Sequence, residues 1–448
     1  MRLHFSCRIT TQMDMIKPLF HLIFALLLAL SLISCTSSAE NEDLTIFTNG
    51  SIWDGVSDSL LVDHAVIVQN GEIRDVMALN DPGFPSGGER IDLGGGYLIP
   101  GLINAHGHVG VAIGLLGDAT AHSTDNVIDQ LKLYARYGIT SVASMGDEPI
   151  HAFIVRDQID SAQIPMSRLT LAGRVLYAET PEEAETEVAE LMALIPDWTK
   201  LRVDDGFGRR EKMPEEIYTL LISESHSHGV PLAAHIVSLD DAKGVLTAGA
   251  DLIGHSIRDQ AVDQELIDLM LTNDVCLTPT LTRELSTFVY AERPHFFDDP
   301  FFHKGVDPSV MEPLLQPEVQ NYFRSEEAEF FRNALPLAKE NMMALHNAGV
   351  TIAMGTDSGP PARFQGYFEH LEMEMMQQAG MSPAEILISA TRDAARCVRM
   401  ETDRGTLEAG KLADFVVLRE NPFEDIRNLR SLKGVYIGGK PVANVISE

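Results

Sequence analysis

Cysteine is scarce: the 448-residue chain has four, and no spacing among them suits a metal site or a disulfide framework. Beyond residue 35 only Cys276 and Cys397 remain. An oxidising compartment leaves a bridge between them open, but without a framework the expectation is two buried free thiols. Positive charge is also short, with 34 Lys and Arg against 65 Asp and Glu and a net charge of −31. Such a surface repels phosphate, which excludes nucleic acid as a partner, and it fits plain solubility or a salty medium. The apolar run Leu19–Ile33, after Lys17, is too short to span a membrane and has the length of a signal peptide. What is present is an ordinary globular composition, 45% hydrophobic, enough for one large domain with a smaller one or for two of medium size.

The apolar run ends Leu32-Ile33-Ser34-Cys35. This resembles the bacterial lipobox, in which the cysteine is lipidated and becomes the first residue. Residues 1–34 then read as a signal peptide and 35–43 as a polar tether. A lipid on Cys35 anchors the protein to a membrane surface without spanning it, in a cell envelope and facing the periplasm or the exterior.

Residues 44–98 are short β-rich runs. LTIFTNGSIWDG and HAVIVQNGEIRDVMAL each carry Asn-Gly, the dipeptide of tight hairpins. The C-terminal stretch, residues 401–448, has the same character in ADFVVL and KGVYIGGKPV, so the two ends are expected to share one small β-sandwich. Between them, residues 99–400 alternate apolar β-like runs with amphipathic helical stretches. The runs are LINAHGH, ITSVASM, LTLAGRV, TKLRVDD, PLAAHI, DLIGHS, CLTPTL and TIAMGTD. Eight β/α units predict an α/β fold, a (β/α)8 TIM barrel. The longest excursion, from Arg283 to about Glu326, holds PHFFDDPFFHKG and suits a lid or a loop over a pocket. A helix from roughly Ser325 to Ala348 should follow it.

In such barrels the chemistry sits at the C-terminal strand ends. The first run ends in His106-Gly107-His108. Alternation along a strand turns both imidazoles to one side, where they can grip a divalent metal. The fifth and sixth runs end near His235 and His255, and the eighth ends in Asp357. The fourth run carries Lys200 nearer its start. Four imidazoles and a carboxylate at the strand ends of one barrel would converge on its axis. Arg283, just after the seventh run, is the preferred group for a substrate carboxylate. Tyr290, His122 and His151 lie near loops that could reach substrate, whereas His226, His228 and His346 fall on helices.

With these residues the chain resembles the amidohydrolase superfamily, in particular its imidazolonepropionase-like and prolidase-like members. The resemblance runs from about Leu44 to Val445 and rests on PGLINAHGH, AAHI, GHS, GTDS and GTLEAGKLADFVVL. It implies two divalent metals, zinc first, with manganese, iron or cobalt open. It implies that His106 and His108 hold the more buried metal with Asp357, that His235 and His255 hold the second, and that Lys200 bridges the two as an N6-carboxylated side chain. It further implies that a hydroxide shared by the metals attacks a carbonyl. Asp357 then carries the proton to the leaving nitrogen, and a C–N bond of an amide, peptide or cyclic amide is cleaved.

Three other readings share the barrel. A mononuclear zinc deaminase usually needs an acid soon after the fifth-strand histidine, but His235-Ile236-Val237-Ser238 offers none and a deaminase has no need of Lys200. A lactone or phosphoester hydrolase uses the same attacking group. A lipid-anchored binding protein without catalysis should have lost ligands, and all six candidates are present. The substrate is a small amide or peptide-like molecule that no motif names further, and self-association stays open.

Overall fold

The computed structural model describes residues 44–159 and 164–448. The signal-like segment and Cys35 lie outside the described residues. Among the described residues no helix is long and apolar enough to cross a membrane.

Both chain ends build β-structure. Leu44–Thr48 pairs antiparallel with His64–Gln69, which pairs in turn with Glu72–Ala78. Asn70-Gly71 closes a tight hairpin: Gln69 faces Glu72, and the two turn residues have φ of 55° and 84°, as a two-residue loop of the I′ kind requires. The other Asn-Gly behaves differently. Asn49 is also left-handed, with φ 60°, but Ser51–Ile52 does not fold back on Leu44–Thr48. It runs parallel to Tyr97–Leu98 in a second sheet, so this turn hands the chain from one sheet to the next. In the second sheet Tyr97–Pro100 lies between Ser51–Ile52 and Phe415–Leu418, which brings the C-terminal strands against the N-terminal ones. Phe47 and Val66 of one sheet pack with Leu98, Phe415 and Val417 of the other. Phe47 meets Phe415 edge to face at 4.8 Å, and burying such a ring contributes roughly 1.5–3 kcal/mol.

The middle of the chain is α/β, with parallel strands and intervening helices. Leu102–Gly107, Ile139–Ser144 and Arg168–Leu171, the first three core strands, form one parallel sheet. Thr199–Arg202, Leu232–His235, Leu252–Gly254 and Cys276–Thr278, the fourth to seventh, form another. Single parallel bridges link the arcs at Leu176–Leu201, Leu277–Ile352 and Gly107–Ser358. The eighth run therefore differs from its expectation: it touches both neighbours at isolated bridges and forms no ladder, and the described strands do not close into one continuous barrel. Its backbone still bonds to both neighbours, the Ala353 amide to the Leu277 carbonyl at 2.9 Å and the Ala105 amide to the Met354 carbonyl at 2.8 Å, and the run ends at Asp357, left-handed at φ 58°.

The helices follow local signals. Pro181–Met192 starts with proline in its first turn, behind Thr180, whose hydroxyl accepts from the Glu183 amide at 3.2 Å. That satisfies one of the free donors at the helix start. Glu326–Asn347 lies where the helix after the excursion is expected. The excursion itself corrects the sequence reading in its Phe-rich part. Phe296, Phe297, Phe301 and Phe302 have no exposed surface; Phe296, Phe301 and Phe302 pack on Tyr367 of the helix Tyr367–Ala379, Phe296 also on Phe368, and Phe297 stacks on Phe302. Four buried rings favour a fixed core over a mobile lid.

Cys276, on the seventh strand, and Cys397, at the end of helix Arg392–Cys397, form a disulfide with Cα atoms 5.8 Å apart. This overturns the expectation of free thiols. The fold lays that helix against the strand, in a small apolar cluster with Trp198, Ala353 and Met400, a neighbourhood that a sequence separation of 121 conceals. A bridge closing so long a loop restricts the unfolded chain strongly. The double variant Cys276→Ser/Cys397→Ser should therefore lose ~2–5 kcal/mol of stability in denaturant unfolding; an unchanged midpoint would deny the bridge a structural role.

Candidate metal centre

The first strand delivers His106 from its fifth position and His108 just past its end. Their rings stand 5.9 Å apart, inclined by 58° rather than parallel. Gly107 is required between them: a Cβ there would meet Asn104 Nδ2 at 2.8 Å. Asn104 holds the strand end from below. Its Oδ1 accepts from the His106 amide at 3.0 Å, and its Nδ2 donates to Glu369 at 2.7 Å and to Thr356 at 3.0 Å. The same Glu369 oxygen accepts from Ser358 at 2.6 Å, so one buried carboxyl ties the first strand to the Asp357 turn.

His106, His108 and Asp357 offer ligand atoms that all lie within 4.8 Å of one another. His255 extends the group, with its ring 4.7 Å from His106 and 4.2 Å from His235. Lys200 enters through its length. Its backbone sits opposite Ala233, one turn of side chain below the strand ends, yet Nζ reaches to 3.4 Å from His106 Nε2. Gly254 leaves the space for it, since a Cβ there would lie 2.8 Å from Nζ. Asp204 does not pair with this lysine. It contacts His235 Nε2 at 2.8 Å and Arg210 at 3.3 Å.

Each imidazole has one nitrogen held by a fixed neighbour. His106 Nδ1 is 3.1 Å from the Thr278 hydroxyl, His108 Nδ1 donates to the Gly146 carbonyl at 2.8 Å, and His255 Nδ1 is 2.7 Å from the Thr280 hydroxyl. His235 has Asp204 at Nε2. The opposite nitrogen of each ring is left for the centre, the arrangement by which outer partners orient metal-binding histidines. A donor set of imidazoles and a carboxylate suits a divalent transition metal. Two candidates also sit in sparsely populated backbone: His255 has φ 79° and Asp357 φ 58°. Such outliers in non-glycine residues concentrate at functional sites.

Electrostatics follow from burial and neighbours. Burial lowers His106 well below its ordinary value, helped by the Lys200 charge. Burial likewise lowers His255, with His235 adding to it, and lowers His235 against the pull of Asp204. For His108 burial is outweighed by the bonded Asp357 carboxylate, 2.7 Å from Nε2, and its pKa rises. Burial works to raise Asp357, but Arg363 at 2.5 Å and His108 overcome it and hold the carboxyl well below the usual range. Burial pushes the Lys200 amine down to about 7. The neutral His106, His235 and His255 rings and the partly neutral amine are in the protonation states that metal binding needs, whereas Asp357 holds His108 toward its charged form.

The group opens into a cavity of about 980 Å³, lined by all six candidates and by Arg283 and His122. Arg283 lies 4.0 Å from Asp357, is bonded to Glu284 at 3.0 Å and stacks over Phe331. Tyr290 does not face this cavity. It is fully buried among Phe296, Phe297 and Phe323, and its hydroxyl donates to the Ala362 carbonyl at 2.5 Å. The sequence places it near the pocket but cannot show that the Phe cluster absorbs it. His151 is likewise not in the lining, and His226 and His346 pair with Asp251 and Glu385. Sequence reading missed Asn104, Glu148, Asp204 and Arg363. Glu148 accepts from the Gly146 and Gly173 amides at 2.7 Å each, bracing the loop that holds His108. Asp204 stands at the end of the TKLRVDD run, where a carboxylate at a strand end was the available signal.

Residues 97–442 match the model of the Amidohydrolase family. Among solved structures, a putative prolidase from Bifidobacterium longum superposes with a TM-score of 0.73 at 26% identity, covering 91% of this chain and 96% of that one. A Xaa-Pro dipeptidase with methionine bound in its active site gives a TM-score of 0.72 at 23% identity, covering 89% and 99%. In sequence, the ochratoxinase of Aspergillus niger is 39% identical over 284 residues, 60% of this chain and 51% of that protein.

Proposed function

Because the chain belongs to the amidohydrolase family, we propose that it is a metal-dependent hydrolase cleaving the C–N bond of an amide, peptide or cyclic amide. The observation that carries this reading is the meeting of His106, His108 and Asp357 within 4.8 Å, at the floor of a cavity that Lys200, His235 and His255 also line. In this reading the two parallel arcs are parts of one (β/α)8 barrel over residues 99–400, and residues 44–98 with 401–448 form its β-sandwich. His106, His108 and Asp357 would hold one divalent ion, zinc by preference, and His235 and His255 a second. Lys200 would serve both: its amine, partly neutral near pH 7, can add CO2 and release a proton, and the carbamate offers two anionic oxygens. Bound metal would supply an acidified water and polarise the substrate carbonyl.

The chain's own residues then move the proton. Asp357, ionised at neutral pH, takes it from the attacking water through Oδ1, while Arg363 holds Oδ2, and returns it to the leaving nitrogen. Arg283 binds a substrate carboxylate from the cavity wall. Arg283→Met should raise KM roughly tenfold or more for such substrates with little change in kcat; an unchanged KM removes this role. We further propose a lipid on Cys35 as the tether of the enzyme to a membrane surface, and Cys35→Ser should release it from the membrane fraction.

The deciding experiment is metal analysis of purified protein with a screen of dipeptides, N-acyl amino acids and cyclic amides. Two ions per chain and amide cleavage, both lost on chelation and regained with metal, are expected. Ammonia release from purines or pyrimidines with one ion per chain would move the assignment to a deaminase.

A further inference from the structure

Beside the cavity described above lies a second one, of about 570 Å³, that no role yet uses. The two share Arg209, Arg283, Glu327, Pro361 and Arg363 in their walls. The cavities therefore adjoin at these five residues. Two of them form an ion pair: Arg209 Nη2 donates to Glu327 Oε1 at 2.6 Å, and Arg209 Nε is anchored on the Gly206 carbonyl. Next to it Phe207 meets Phe330 at 5.6 Å. Arg209 is 64% exposed along its side chain, and an ion pair so open to water contributes little and yields easily. Phe207 lies between Gly206 and Gly208, with all three at positive φ, a loop conformation set apart from the rigid strands.

Beyond the shared residues the wall is largely apolar, with Leu115, Leu314, Val319, Tyr322 and Phe323 beside Ser286, Thr287 and Ser325. Most come from the last part of the 283–326 excursion, which packs as a wall where the Phe-rich part packs as core. Tyr322 is 67% exposed and Phe207 45%. Large apolar side chains left in water at two joined cavities mark a binding surface more than a fold requirement. The volume is that of a small-molecule pocket, and its continuity with the candidate metal centre names the occupant.

We propose that this annex takes an extended apolar arm of the substrate, reached past the Arg209–Glu327 pair, so that the enzyme's substrates are amides carrying a long alkyl or arylalkyl acyl chain. The inference rests on the C–N hydrolase reading and deepens it. The amide lies at the metal centre with its polar end toward Arg283, and the chain runs between Glu327 and Pro361 into the annex.

The test uses the full metal-loaded protein and N-acylglycines from acetyl to decanoyl, with kcat/KM measured alongside calorimetric binding, which is read whether or not turnover occurs. A buried methylene is worth about fourfold in an equilibrium constant, so a partly sheltered chain should raise kcat/KM and affinity about a hundredfold from acetyl to decanoyl. Val319→Asp, and independently Tyr322→Glu at an exposed position, should cut the decanoyl-to-acetyl ratio about tenfold. A flat chain-length profile, or a rise that neither variant reduces, overturns the annex. Chain-length-dependent binding without cleavage, lost in the variants, keeps the annex and overturns the C–N hydrolase reading instead.

Discussion

Asp357→Asn should lower kcat by about a thousandfold, a typical worth for a positioned proton carrier, while metal content stays near that of the unaltered protein. The asparagine keeps one oxygen in place of two, enough for a metal or for Arg363, but it cannot accept a proton. The carboxylate it replaces is held well below the usual range by Arg363 and His108, against the effect of burial. It is therefore ionised across the neutral range, and no pH adjustment in that range should restore the variant. Steady-state rates on a cleaved amide, with metal analysis of the same sample, decide the matter. Full activity in Asp357→Asn would remove the residue from the chemistry.

A loss of ~3–5 kcal/mol in stability should follow Glu284→Gln, far more than from the surface ion pairs. Glu284 and Arg258 have fully buried side chains 3.2 Å apart, without the alignment of a hydrogen bond. Arg258 also donates to the Ile236 and Ser256 carbonyls at 3.1 and 2.7 Å. Arg283 leans on the same carboxylate. Burial brings Arg258 down only to about 10, because Glu284 opposes the loss of charge, so it stays cationic at neutral pH. Neutralising Glu284 leaves two buried cations facing each other. Breaking an exposed pair such as Lys132–Asp129 should instead change stability by under ~1 kcal/mol. Denaturant unfolding of both variants makes the comparison, and a Glu284→Gln loss as small as the surface one would show that Arg258 finds compensation elsewhere.

How much of this was legible in the sequence depended on the range of the interaction. The converging residues were readable because each belongs to a short local pattern, an apolar run ending in a donor, and the parallel α/β order converts such patterns into neighbourhood. The Asn70 hairpin was readable because strand pairing there is local. Asn49 has the same dipeptide and the same left-handed backbone, but its following strand is claimed by Tyr97–Leu98, a partner that propensity does not reveal. The Cys276–Cys397 bridge and the Asn104–Glu369 bond share that difficulty. In the excursion, Phe-rich composition pointed to a cover over the pocket, but the rings turn inward to Tyr367, and a cavity is faced by Arg283, Ser286 and Thr287 at its start and by Leu314, Val319, Tyr322 and Phe323 near its end. Asp204 and Arg363 were missed because charged residues after strand ends are common, and only coordinates separate those that touch a histidine or Asp357 from those in solvent.

The Gly146 carbonyl fixes Nδ1 of His108 as the donor, and the Thr278 and Thr280 hydroxyls hold Nδ1 of His106 and His255 in place. In the proposed centre these neighbours orient the rings through the fold itself, so the entropic cost of placing the ligands falls on chain folding. Chelation should accordingly leave a protein that stays folded and refills quickly. A template of this kind discriminates weakly between neighbouring first-row ions, whose affinities follow their own order. The occupant would be chosen by cellular supply, and one polypeptide could run at different speeds in environments that differ only in trace elements.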